Sequence, residues 1–185
     1  MKKLLSQLVI LLVLGQFIGC GGDDASPSPS ISLTIDGAKQ SVKFAGAQLL
    51  VEDYGDQEGR SLNITAISGS NALTITVSNW SFQNPPEDGV IVKKYEHLFT
   101  DQTLDKGQCM SEGIEAYCDG GTVTYTSDDF YATAFYEGSY PGFVHITKCD
   151  TKSKRISGSY DVVVSNDTDE FTLKGEFKNI QYVVY

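Results

Sequence analysis

The stretch Leu62-Asn63-Ile64-Thr65-Ala66-Ile67-Ser68-Gly69-Ser70-Asn71-Ala72-Leu73-Thr74-Ile75-Thr76-Val77 decides the fold class. Apolar Leu62, Ile64 and Ala66 alternate with polar Asn63 and Thr65, and Leu73, Ile75 and Val77 alternate with Thr74, Thr76 and Ser78. A period of two places each set on its own side of a strand. Ser68-Gly69-Ser70-Asn71 is turn chemistry, so the stretch reads as an antiparallel hairpin with one buried face.

The same rhythm runs outward in both directions. Toward the N-terminus, Ile31 to Ile35 alternates and stops at Asp36-Gly37, a hairpin-turn signal. Val42 to Phe44 and Gln48 to Glu52 read as two short strands. Toward the C-terminus, Asn79 to Gly89, with Pro85-Pro86, reads as loop and Val90 to Lys94 as a short strand, while Tyr95 to Gly121 keeps no period. Strands resume at Thr122 to Thr126, in the aromatic-rich Phe130 to Tyr136 and at Gly142 to Cys149. Ile156, Gly158, Tyr160, Val162 and Val164 then share one face, as do Phe171, Leu173 and Phe177. Ile180 and Tyr182 fall on the opposite phase from Phe177, which calls for a β-bulge near Lys178-Asn179. No stretch holds a helical period over three turns. The expectation is an all-β chain whose residues 31–185 form a single antiparallel β-sandwich, with a flattened β-barrel as the alternative.

The N-terminus has a different character. Lys2 and Lys3 precede the apolar run Leu8 to Leu14, which Gly15 and Gln16 cut short of a membrane span. Phe17-Ile18-Gly19-Cys20 resembles the lipobox of bacterial lipoproteins, with Phe17 where Leu is usual. The resemblance implies a signal peptide over residues 1–19 and a mature chain that starts at a Cys20 diacylated on sulfur and acylated on its amine, palmitate-type chains being the expected modification. Two or three chains hold a protein on a bilayer far better than one. Residues 20–30 follow as a flexible Gly-, Ser- and Pro-rich linker able to reach on the order of 30 Å. Within it, Asp23 and Asp24 look like the acidic export signal of Bacteroidota lipoproteins, which implies an outer-membrane lipoprotein facing the cell exterior.

The 185-residue chain carries a formal net charge of −10, and losing Lys2 and Lys3 makes the mature body more acidic still. That balance argues against nucleic acid and other polyanions. With Cys20 assigned to lipid, Cys109, Cys118 and Cys149 allow one disulfide. Cys109 with Cys118 is the expected pair, closing a short loop, and Cys118 with Cys149 the alternative.

A second resemblance lies near the C-terminus. Val144-His-Ile-Thr-Lys-Cys-Asp150, Ile156-Ser-Gly-Ser-Tyr160 and Gly175-Glu-Phe177 look like the closing hairpin of uncharacterised Bacteroidota outer-membrane lipoprotein domains of unknown function, with Tyr160 where Phe is usual. It implies a β-sandwich at the outer membrane and no activity.

His97 and His145 stand in no catalytic motif, and the expectation is no enzyme, with a hydrolase as the remote alternative. Asp53, Asp56 and Glu58 space three oxygen donors around Gly55 and Gly59, a candidate calcium loop without the full ligand pattern; no cofactor is expected. Aromatic side chains carry the binding expectation. Trp80 and Phe82 border the Pro-rich loop, and Tyr125, Phe130, Tyr131, Phe135, Tyr136, Tyr140 and Phe143 crowd one stretch, of which Tyr131, Tyr136 and Tyr140 are the candidates for stacking on sugars or protein. The competing reading puts alternate rings in the core. The function that follows is a non-enzymatic accessory or binding subunit of an envelope protein complex, held to the outer-membrane bilayer through Cys20, with a glycan-binding module of a nutrient-uptake system as the alternative.

Overall fold

The computed structural model describes residues 28–53, 58–80, 85–96, 119–127, 130–134, 142–166 and 169–185. These hold thirteen strands and no helix: β1 (Ser30–Ile31), β2 (Leu33–Ile35), β3 (Ala38–Gln40), β4 (Lys43–Asp53), β5 (Glu58–Ser68), β6 (Asn71–Trp80), β7 (Lys94–Tyr95), β8 (Asp119–Ser127), β9 (Phe130–Ala134), β10 (Phe143–Asp150), β11 (Arg155–Ser165), β12 (Glu170–Gln181) and β13 (Val183–Val184). The architecture is a β-sandwich. One layer runs β13-β4-β5-β6-β8-β9 and the other β7-β10-β11-β12-β2-β3, with β1 beside β12. The pair Ser165–Thr133 joins them along β11 and β9. All pairings are antiparallel except β13 on β4, and the sheet does not close into a barrel.

The alternating apolar residues make the space between the layers. Leu62, Ile64, Ala66, Leu73, Ile75 and Val77 of one layer and Ile156, Tyr160, Val162, Val164, Leu173 and Phe177 of the other are all at most 1% exposed and belong to one core. Burying a Leu or Ile side chain contributes about 1.5–3 kcal/mol, so this core supplies the main drive to fold. Asp36 and Gly37 have φ of 46° and 84°, the positive values a two-residue hairpin needs, and Ile35 pairs with Ala38 across them.

In β11 and β12 two aromatic rings lie over two glycines. Gly158 pairs with Phe177 and Tyr160 with Gly175. A Cβ on Gly158 would meet the Phe177 ring and the His145 carbonyl oxygen; one on Gly175 would meet the Tyr160 ring and the Ser32 carbonyl oxygen. Each ring occupies the volume its opposite glycine leaves, and Tyr160 Oη thereby reaches the Ser32 carbonyl oxygen at 2.8 Å. The Gly-Ser-Tyr and Gly-Glu-Phe segments are therefore two halves of one packing device. The expected bulge sits at Lys178-Asn179: Ile156 pairs with Ile180 but Gly158 with Phe177, and Asn179 takes φ of 52°. It returns Ile180 and Tyr182 to the core.

Three segments differ from expectation. The two short strands expected before residue 53 are one, β4, because a bulge between Phe44 and Gly46 absorbs the phase change that hid its continuity. Of Val90 to Lys94 only Lys94 pairs as strand; Asn79 Oδ1 accepts from Ile91 N at 2.9 Å and Tyr95 Oη donates to the Ile91 carbonyl at 2.7 Å, so side chains satisfy that backbone. Strand β6 also continues through Asn79 and Trp80, into what reads as loop.

Candidate functional site

Side chains on the strand faces turned away from the core differ sharply between the layers. Beside β5, β6 and β8 they are uncharged, with Asn63 opposite Thr76 and Thr76 opposite Thr122, then Thr65 opposite Thr74 and Thr74 opposite Thr124. Thr76 Oγ1 donates to Asn63 Oδ1 at 2.7 Å, and the Ser61 and Ser78 hydroxyls lie 3.0 Å apart.

The other layer carries charge in rows. Register places Phe143, Asp161, Lys174, Thr34 and Lys39 side by side across β10, β11, β12, β2 and β3. The next row holds Lys94, His145, Ser159 and Glu176. A groove of about 630 Å³ opens over the first row. A second of about 450 Å³ continues past Lys148, Ser157, Lys178 and Asn179, sharing Ser159 and Glu176 with the first. From the Asp161 row to the Ser157 row the path follows four residues of β11, about 13 Å.

Its charges are partly matched. Lys174 Nζ donates to Asp161 Oδ2 at 2.8 Å, which raises the lysine's pKa, and Lys178 Nζ lies 2.6 Å from Glu176 Oε2, which holds that carboxyl below its usual range. Lys94 Nζ sits 4.5 Å from the centre of the Phe143 ring, within cation–π range, and donates to Glu96 at 2.7 Å. Lys39 and Lys148 stand at the groove's two ends and enter no ion pair among the described residues. An apolar ring, hydroxyls and spaced charges in a trough are groups that can hold a ligand.

A buried polar knot lies at another place. Asn79, fully buried, donates through Nδ2 to Asp119 Oδ1 at 3.1 Å, and its Oδ1 lies 3.0 Å from Tyr95 Oη, sharing that hydroxyl with the Ile91 carbonyl oxygen. Lys93 Nζ donates to Asp119 Oδ2 at 2.7 Å. Arg60 donates from Nε to the Glu87 carbonyl oxygen at 2.8 Å. Burial, with the Asp119 carboxylate nearby, pushes the Tyr95 phenol above its ordinary pKa. These bonds tie residues 87–95 to the ends of β5, β6 and β8, a positioning role.

Of the residues singled out in the sequence, Cys20, Phe82, Cys109, Cys118, Tyr136, Tyr140, Asp56 and His97 lie outside the described residues. Trp80 ends β6 and Tyr131 lies in β9, with their side chains likewise outside. Asp53 and Glu58 are backbone partners across β4 and β5. Cys149 is a free thiol, 3.7 Å from Tyr182 Oη. His145 is half-buried, as its place in the alternation implies. The aromatic stretch divides: Tyr125 is buried and stacks edge-on to Phe171 at 5.8 Å, whereas Phe143 lines the groove. The groove's lysines and carboxylates were not singled out. Lys174, Glu176 and Lys178 alternate with Leu173, Gly175 and Phe177, so their outward side was legible; that β2, β3 and β10 add to it was not.

No family model matches the chain, and neither a curated protein nor a solved structure matches it.

Proposed function

We propose that this protein is a lipid-anchored outer-membrane lipoprotein of the Bacteroidota type, exposed at the cell surface and serving as a non-enzymatic accessory or binding subunit of an envelope protein complex. The observation that carries the reading is Phe17-Ile18-Gly19-Cys20 behind Lys2-Lys3 and an apolar run, followed within ten residues by Ser30, where the first described strand begins. Ser30 pairs with Lys178 of β12, so a linker from Cys20 joins the body at a fixed point on its second layer. Mass spectrometry of the mature chain is expected to give an N-terminal, acylated Cys20, and gentle solubilisation of native membranes to bring a stable partner with it. An unmodified thiol at residue 20 sinks the anchoring; a monomer without a partner sinks the complex.

A second reading, a glycan-binding module, draws support from the groove, where Phe143 offers a ring beside Ser159, Asp161 and Glu176. It shifts weight from Trp80, Phe82, Tyr131, Tyr136 and Tyr140 to Phe143. Retention on a polysaccharide panel is expected to fall in Phe143→Ala; retention unchanged there and in Tyr131→Ala and Tyr136→Ala removes this reading.

A further inference from the structure

The net charge of −10 disfavours polyanions for the chain as a whole, yet charge in the folded body is not spread evenly. Lys39, Lys148, Lys174 and Lys178 line one groove on a single sheet face and Lys94 stands beside it, the five coming from four different strands. Only Asp161 and Glu176 among the groove's lining residues are acidic, and each is already matched by a lysine. Four lining ammonium groups against two lining carboxylates leave the trough positive, with Asp150 near Lys148 drawing off part of that excess. On the opposite layer the corresponding face of β5, β6 and β8 is uncharged, with hydroxyls and amides beside the exposed Ile67. An acidic protein that assembles cations from distant parts of its chain into one concave strip has a place for an anion.

The shape narrows the anion. The strip is elongated, crossing from β3 through β2, β12 and β11 to β10, and Lys39 and Lys148, which enter no ion pair among the described residues, lie at its two ends. A compact ion cannot touch both, whereas a linear polymer with a charge on each repeat can. Ser159 between them, and Phe143 beside that path on β10, suit the hydroxyls and the apolar face of a sugar ring. We propose that the groove binds a linear acidic polysaccharide, carboxylated or sulfated, lying diagonally across β3, β2, β12, β11 and β10 from Lys39 to Lys148. This rests on the glycan-binding reading and names the substrate class for it.

The test uses the full acylated chain in nanodiscs of neutral lipid, with polygalacturonate as the probe and dextran as its uncharged counterpart. Polygalacturonate is expected to bind, to be released as salt rises, and to bind at least about tenfold more weakly to the double variant Lys39→Gln/Lys148→Gln. Both lysines are exposed, so the variant keeps its fold, checked by its thermal midpoint. Affinity unchanged in the double variant overturns the proposal. Dextran bound as well as polygalacturonate also overturns it while leaving the broader glycan reading in place. No polygalacturonate binding by the unsubstituted protein, together with lysine-dependent attachment to phosphatidylglycerol vesicles, overturns it in favour of a membrane-docking face. Acylation at residue 20 is measured separately and bears on none of these outcomes.

Discussion

Tyr160 shows how one side chain serves the packing of three strands. Its ring lies over Gly175 of β12, and its hydroxyl donates to the Ser32 carbonyl oxygen between β1 and β2. Tyr160→Phe keeps the ring and leaves the carbonyl without that donor, so a loss of about 1–2 kcal/mol is expected in chemical denaturation. Gly175→Ala drives a methyl into both the ring and the Ser32 carbonyl oxygen, and a loss of about 3 kcal/mol is expected. Asp150 is the residue whose ionisation bears on a turn. Its carboxylate accepts from the backbone N–H groups of Lys152 and Ser153, both at 3.1 Å, and the Ser153 bond is the first cause of its lowered pKa. A folded pKa below the unfolded value means the contribution is present at neutral pH and lost as pH falls through the folded value. Titration followed by NMR at the Lys152 and Ser153 amides is expected to show the turn loosening below the ordinary aspartate range, and Asp150→Asn, which keeps the acceptor oxygen, to remove that pH dependence.

At the scale of elements, phase governs what could be read in advance. Strands with unbroken alternation, β5, β6 and β11, are where their sequence puts them, and the phase break after Phe177 correctly marks a bulge. In β4 the same kind of break hides a continuous strand, since nothing local tells a bulge from a gap. Asn179 holds the β12 bulge with φ of 52°. Asn179→Gly is expected to be near neutral and Asn179→Val to lose about 1–2 kcal/mol, because a β-branched residue resists the left-handed conformation; thermal unfolding of the pair checks this. The segment before β7 defeats pattern reading for another reason. Its apolar Val90, Ile91 and Val92 suggest a strand, but Asn79, from another layer, satisfies its backbone. Asp119→Ala removes the acceptor that Lys93 and Asn79 share, leaves both donors without it, and is expected to lose about 3–5 kcal/mol.

For the whole molecule the chain's end matters more than its length suggests. After Tyr182, β13 crosses to the first layer and covers the edge of β4, with Tyr185 N donating to the Leu49 carbonyl at 2.9 Å and Val51 N to the Tyr185 carbonyl at 3.0 Å. Removing residues 183–185 bares the β4 edge, a template for pairing with another molecule. Concentration-dependent association of the truncated protein in light scattering is expected, with Tyr182 still buried. The sequence by itself determined the all-β class, the hairpin from Leu62 to Val77, the inward face of β11 and the β12 bulge, because each rests on a period of two or a break in it, a property of neighbouring residues. Only the tertiary structure decided that Lys39, Phe143, Asp161 and Lys174 share a row and that Asn79 reaches Asp119. Those neighbours are set by which strands pair, and pairing comes from burying both layers' apolar faces at once, which no local stretch encodes.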